Sequence, residues 1–154
     1  MLLALDIGNS TMVAALFDGE KKLWDVIAPS SVQRTPEETW QIIESLLQDA
    51  GVPATSLHAV GISSVVPFLT GLFVDLVRKR IQRDPLVING ALDLGIRLAY
   101  KDPLQLGPDR ICAAVAGYHK YGGPLLIIDF GTATTYGVID ANGDFLGGAI
   151  GLGV

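Results

Sequence analysis

The chain has 154 residues, 49% of them hydrophobic and 18% charged, a size and apolar share that suit a packed core and exclude a disordered polypeptide. Its formal charge of -5 argues against a nonspecific grip on nucleic acid or anionic membrane, because both need positive charge to offset phosphates. A single cysteine, Cys112, excludes an internal disulfide; with Asp6 interrupting the first apolar run and no run of membrane-spanning length, the expected setting is the cytoplasm.

Leu2 to Leu5 is a short apolar run suited to a buried strand, Asp6-Ile7-Gly8-Asn9-Ser10 turns, and Met12 to Phe17 returns as a second strand. Asp18-Gly19 is a hairpin signal leading to a third strand over Leu23 to Ile27. Thr35-Pro36-Glu37-Glu38 starts a helix: a Thr cap, Pro in the first helical position, and Glu three residues after the cap. That helix is expected to run to Gly51, with Trp40, Ile43, Leu46 and Leu47 on its apolar face. Ala59 to Val65 is β-branched and strand-like, and Pro67 opens a second helix with Phe68, Leu69, Leu72, Phe73, Leu76 and Val77 facing inward. Arg78, Lys79 and Arg80 suit the negative end of that helix.

Leu86 to Ile88 is a further strand, and the segment from Asn89 to Pro108 is long for a loop in a compact domain, with room for a short helix. A small-residue helix follows from Asp109 to about Tyr121, with Ile111, Cys112, Val115 and Ala116 facing inward, and Gly122-Gly123-Pro124 breaks it. His58 and His119 suit surface or loop positions rather than ligand roles.

The opening segment Leu2-Leu3-Ala4-Leu5-Asp6-Ile7-Gly8-Asn9-Ser10-Thr11 recurs 123 positions later as Leu125-Leu126-Ile127-Ile128-Asp129-Phe130-Gly131-Thr132-Ala133-Thr134. Each copy is an apolar strand, then Asp, one apolar residue, Gly, and hydroxyl-bearing residues. Asp at a strand end can hold a metal or its water shell, Gly lets backbone approach a phosphate, and Ser or Thr adds a hydroxyl donor. Two such turns facing one another would clamp a triphosphate. Each taken singly also fits an ordinary hairpin turn, since Asp, Gly and Asn are common turn residues. Strands over Tyr136 to Ile139 and Phe145 to Ile150 then flank Asp140-Ala141-Asn142-Gly143. The order β-β-β-α-β-α-β-α over residues 1–121 is that of an α/β, ribonuclease-H-like lobe with a mixed sheet, and residues 122–154 read as the opening strands of a second similar lobe.

Several segments in order resemble the type III pantothenate kinase family of the actin-like ATPase superfamily: Asp6-Ile7-Gly8-Asn9-Ser10, Ser63-Ser64-Val65-Val66-Pro67, Tyr100-Lys101-Asp102-Pro103, Gly107-Pro108-Asp109-Arg110, Tyr121-Gly122-Gly123-Pro124 and Asp129-Phe130-Gly131-Thr132-Ala133-Thr134-Thr135. The resemblance implies transfer of a phosphoryl group from ATP, carried with Mg2+, to pantothenate at the first step of coenzyme A synthesis. It implies a first phosphate loop made by Asp6, Ile7, Gly8, Asn9, Ser10, Thr11, Met12 and Val13, and an ATP contact at Thr132. Asp129 would help hold a monovalent cation, potassium or ammonium. Tyr100, Gly107, Pro108, Asp109 and Arg110 would line the pantothenate pocket, with Asp109 as catalytic base. The family pattern also implies a homodimer.

Read from the residues alone, Asp109 after Pro108 is a good helix cap, Arg110 a solvated charge, and Tyr100 an amphipathic residue at a loop edge. Within the resemblance, Arg110 suits either the pantothenate carboxylate or the phosphates. Pro108 stands where the family usually has Ala, and Ser10 where the first loop usually has Thr. The family continues into a fuller second lobe, so more chain is expected after Val154. Another small-molecule kinase of the superfamily, acting on a sugar or a carboxylate, would keep both acidic turns without the Tyr100 and Gly107 to Arg110 segments, and a noncatalytic actin-like nucleotide-binding module or regulatory relative would keep the fold without turnover.

Overall fold

The computed structural model describes residues 1–153, which form two compact units, the first spanning Met1–Val87 and the second beginning at Ile88. The first is built on strands β1 (Leu2–Ile7), β2 (Thr11–Asp18), β3 (Lys21–Pro29), β4 (Ala59–Ser64) and β5 (Leu86–Val87), with helices α1 (Pro36–Asp49) and α2 (Pro67–Ile81). Its sheet order is β3-β2-β1-β4-β5. The first three strands form an antiparallel meander, while β4 and β5 are added in parallel beyond β1. Parallel neighbours need long crossovers, and α1 and α2 supply them.

Alternation along β1 sends Leu3, Leu5 and Ile7 to one face, where they meet Trp40, Ile43 and Leu46 of α1 and Leu69 and Phe73 of α2 in one core. The start of α1 has the expected reciprocal cap: Thr35 Oγ1 accepts the Glu38 amide at 3.2 Å and the Glu38 carboxylate accepts the Thr35 amide at 2.8 Å. The Thr35 amide, and after it the Thr35 hydroxyl donating at 3.1 Å, hold the Glu38 carboxyl below its ordinary range. On α2 the inward stripe is Leu69, Phe73, Leu76 and Val77, whereas Phe68 is exposed. One residue is a rotation of about 100° on a helix, so Phe68 falls outside the stripe that Leu69 begins.

The second unit holds β6 (Arg97–Leu98), α3 (Pro108–Tyr121), β7 (Leu125–Phe130), β8 (Ala133–Ile139) and β9 (Asp144–Leu152), with sheet order β6-β9-β8-β7. Helix α3 packs on this second sheet: Ile111 and Ala114 join Ile139 and Phe145 in its core, with Leu125, Ile127, Val115 and Tyr118 around them. The structural division therefore falls between Val87 and Ile88, whereas the sequence reading placed α3 with the first unit and divided the chain at 121/122. A run of small residues carries no mark of which sheet it will cover; the apolar partners on β7 and β8 decide it. The inward stripe of α3 also differs, since Ala116 is exposed and Cys112 half-buried.

The long segment from Asn89 to Pro108 contains β6, which pairs in parallel with β9, and one 3-10 turn over Pro103–Gln105 capped by Asp102. Among the described residues no helix is long and apolar enough to cross a membrane.

Candidate functional site

The two acidic turns are each the tip of an antiparallel hairpin. In the first, Ile7 pairs with Met12 and Asp6 with Val13, leaving Gly8 to Thr11 as the connection. The Gly8 amide donates to the Thr11 carbonyl at 2.9 Å. A Cβ on Gly8 would stand 3.0 Å from that same carbonyl oxygen, so the closeness of this turn favours glycine. Ser30, just past β3, fixes the turn from the side: its hydroxyl donates to the Gly8 carbonyl at 2.6 Å and its amide to the Ser10 carbonyl at 2.8 Å. Asp6 lies at the end of β1 beside Ser63 at the end of β4, and Ser63 Oγ donates to Asp6 Oδ1 at 2.9 Å.

The eight residues from Asp6 to Val13 divide by burial. Ile7 and Met12 point their side chains into the core, so any ligand contact from them comes through backbone. Asp6, Asn9, Ser10 and Thr11 are exposed, and Gly8 and Val13 half-buried.

In the second hairpin Phe130 pairs with Thr134 and Asp129 with Thr135, and the Gly131 amide donates to the Ala133 carbonyl at 3.2 Å. The connection is thus one residue shorter than in the first hairpin, although the sequence copies align without a gap. Asp129 and Thr132 are exposed.

Helix α3 begins differently from the sequence reading. Gly107 is the N-cap and Pro108 the first helical residue, where its missing amide is one the helix would leave unpaired in any case. Asp109 is therefore inside the first turn rather than the cap, and its Oδ1 accepts the Arg110 amide at 2.8 Å. A carboxylate here is favoured by the positive end of the helix.

Arg110 is no solvated surface charge. Its Nη2 donates to the Tyr136 carbonyl on β8 at 3.2 Å and its guanidinium carbon lies 5.8 Å from the centre of the Phe145 ring. Nε is buried without a hydrogen-bond partner, and Arg110 lines a gap of about 10 Å³ together with Asp129, Thr135, Gly137 and Phe145. That is about the least space that admits one water. Tyr100 follows β6, is partly exposed, and its ring lies 4.0 Å from the position a Cβ on Gly147 of β9 would take.

Arg110 and Asp129 are thus neighbours, with Asp109 directly before Arg110 in the chain, and Tyr100 lies against the same β9. Asp6 to Val13 belong to the first unit, gathered with Ser30 and Ser63. Sequence reasoning missed Ser30, Ser63 and Thr135 as members of these clusters. The Ser63-Ser64 pair at the end of a β-branched strand was a usable signal, but which strand stands next to β1 is not local information.

Over residues 2–154 the sequence matches the family model described as type III pantothenate kinase. Curated relatives with that name include proteins from Thermomicrobium roseum, 40% identical, and Agathobacter rectalis, 38% identical, each aligned over all of this chain. The chain spans 60% and 59% of the length of those two relatives. Among solved structures it is similar to a ROK hexokinase from Thermus thermophilus, at 19% identity and a TM-score of 0.53, covering 94% of this chain and 47% of that one. It is also similar to the ethanolamine utilization protein EutJ from Carboxydothermus hydrogenoformans, at 16% identity and a TM-score of 0.55, covering 99% of this chain and 52% of that one. At such identities these structures speak for the fold alone, which is the actin-like ATPase and sugar kinase fold expected from the order of elements. With a family match that leaves out only Met1, the chain belongs to the type III pantothenate kinase family.

Proposed function

We propose that the protein containing this chain phosphorylates pantothenate with ATP, giving 4'-phosphopantothenate. The family match across residues 2–154 carries this reading, and the cluster of Asp109, Arg110 and Asp129 around the start of α3 supports it. ATP with its magnesium supplies the electrophilic γ-phosphoryl group. The exposed residues Asn9, Ser10, Thr11 and Thr132 are suited to phosphate oxygens through their backbone and hydroxyls.

Asp109 acts as the proton acceptor. As the pantothenate hydroxyl oxygen bonds to the γ-phosphorus, the bond to the bridging oxygen breaks, ADP departs, and the hydroxyl proton passes to the Asp109 carboxylate. The Arg110 amide on Oδ1 keeps that carboxylate oriented. Tyr100, Gly107, Pro108 and Arg110 form the substrate wall, with Arg110 the counter-charge for the pantothenate carboxylate. Asp129 contributes one oxygen to a potassium or ammonium ion. The active species is a homodimer, which the sedimentation of the intact protein checks.

The test is steady-state phosphorylation of pantothenate by the intact protein and by Asp109→Asn. Loss of the acceptor lowers kcat by about 10²- to 10⁴-fold with folding retained; equal rates overturn the assignment of the base. Activity in potassium or ammonium but not in sodium is the expected salt dependence, and equal rates in sodium remove the cation role of Asp129.

A further inference from the structure

Tyr100 and Arg110 come against adjacent residues of β9. The Tyr100 ring lies 4.0 Å from the place of a Cβ on Gly147, and Arg110 Nη2 lies 2.7 Å from that of a Cβ on Gly148. The strand is irregular here: Ile139 of β8 pairs with Phe145 and Val138 with Gly147, so Leu146 is an extra residue, a bulge. Gly147 has a φ of 127°, which favours glycine. The Arg110 guanidinium also lies over the Phe145 ring. Residues three apart on a regular strand face opposite sides, so the bulge is what lets Phe145 and Gly148 both meet one guanidinium.

Strand β6 joins β9 just ahead of that bulge. Arg97 pairs with Asp144 and Leu98 with Phe145, and the Ala99 amide donates to the Phe145 carbonyl at 2.9 Å. A strand of two residues has little backbone pairing to hold it, but Arg97 adds a two-pronged contact, Nε donating to Asp144 Oδ1 at 2.9 Å and Nη2 to Oδ2. Tyr100 follows Ala99 directly, so the register fixed by this clip decides where its ring falls. We propose that Arg97 and Asp144 are positioning residues for the phosphoryl acceptor: their ion pair locks β6 on β9 and thereby holds Tyr100 on Gly147, beside the seat of Arg110. The inference rests on the reading of Tyr100 and Arg110 as part of the pantothenate wall. In this role neither Arg97 nor Asp144 meets the substrate; both act through Tyr100.

The test is steady-state kinetics of the intact protein with Arg97→Gln, Asp144→Asn, Tyr100→Ala, and Asp144→Asn combined with Tyr100→Ala. Each clip variant is expected to raise KM for pantothenate about two- to fivefold, as for an ion pair near the surface, with kcat and KM for ATP within about twofold. Arg97→Lys, which keeps the charge and loses the fork, falls between. In the Tyr100→Ala background Asp144→Asn adds no further rise, because the residue that carries its effect is gone. Arg78→Gln, which removes the exposed pair with Asp84, leaves every constant at the parent value. Hydrogen exchange at the Ala99 amide, faster in both clip variants, reads the anchoring of β6 without turnover. An unchanged KM for pantothenate, an equal rise with and without Tyr100, parallel changes in kcat and KM for ATP, or unaltered Ala99 exchange each overturns the proposal while a competent parent leaves the functional reading standing. A parent that fails to phosphorylate pantothenate overturns that reading, and the role of the clip falls with it.

Discussion

Ser63 and Asp6, 57 residues apart, stand opposite one another in the parallel pairing of β4 with β1, and the Ser63 hydroxyl donates to Asp6 Oδ1 at 2.9 Å. Ser63 is almost fully buried while Asp6 is exposed, so the bond ties a carboxylate that faces solvent to a fixed part of the sheet. It limits the directions that carboxylate can take at the mouth of the first turn.

The first prediction follows from that tie. A hydrogen bond to a charged group contributes about 1.5–3 kcal/mol. Ser63→Ala is expected to lower Tm by several degrees, and to weaken ATP binding by the intact protein by about tenfold, each tenfold step being about 1.4 kcal/mol. Ser63→Thr, which keeps the hydroxyl, recovers most of the binding. Calorimetric unfolding and nucleotide titration on the three proteins measure it; an alanine variant that binds as tightly as the parent removes Ser63 from the site.

Features governed by local chemistry were legible in the sequence. The Thr35 and Glu38 cap, Pro67 at the start of α2 and the Asp140 to Gly143 turn each follow from a few adjacent residues. The repeat likewise marked both acidic hairpins, though not the shorter connection of the second, where Phe130 meets Thr134. What escaped was pairing at a distance: β6, a strand of two residues that exists only because β9 accepts it, the side of the chain to which α3 packs, and the docking of Arg110 on Tyr136. Two residues have no periodicity to detect, and a helix stripe does not say which sheet it faces.

The pairing of β6 gives a second prediction, in acid. Arg97 Nε donates to Asp144 Oδ1 at 2.9 Å and its Nη2 to Asp144 Oδ2, a two-pronged contact that holds the Asp144 carboxyl below its ordinary range. A carboxyl lowered on folding stabilises the native state above its unfolded pKa of about 3.9, and that contribution is lost as pH falls through the lowered native value. Asp144→Asn should therefore unfold at a lower temperature than the parent near pH 7, with the gap closing in strong acid. Added salt should narrow the gap too, because the Arg97 side chain is solvent-facing. Unfolding temperatures from pH 7 down to 2 decide it, and a gap independent of pH contradicts the ion pair.

The third prediction concerns how Arg110 is seated. Gly148 of β9 pairs with Gly137 of β8, and a Cβ on Gly148 would run into the Tyr136 carbonyl oxygen and stand 2.7 Å from Arg110 Nη2. The arginine thus needs bare backbone at that point to reach Tyr136, and its place beside Asp129 and Thr135 depends on the same approach. Gly148→Ala must either part β8 from β9 or push the guanidinium away, at a cost of about 1–3 kcal/mol by the usual measure of overpacking. Because Arg110 directly follows Asp109 and is assigned to the pantothenate carboxylate, the loss should fall on that substrate: KM for pantothenate rises about tenfold or more, since one lost charge-assisted contact is worth at least about 1.4 kcal/mol, while KM for ATP stays near the parent value. Gly61→Ala serves as the control, since a Cβ there meets nothing within 4 Å. An unchanged KM for pantothenate in Gly148→Ala, or an equal rise for both substrates, would mean that the seat of Arg110 on β8 and β9 has no bearing on how the acceptor is held.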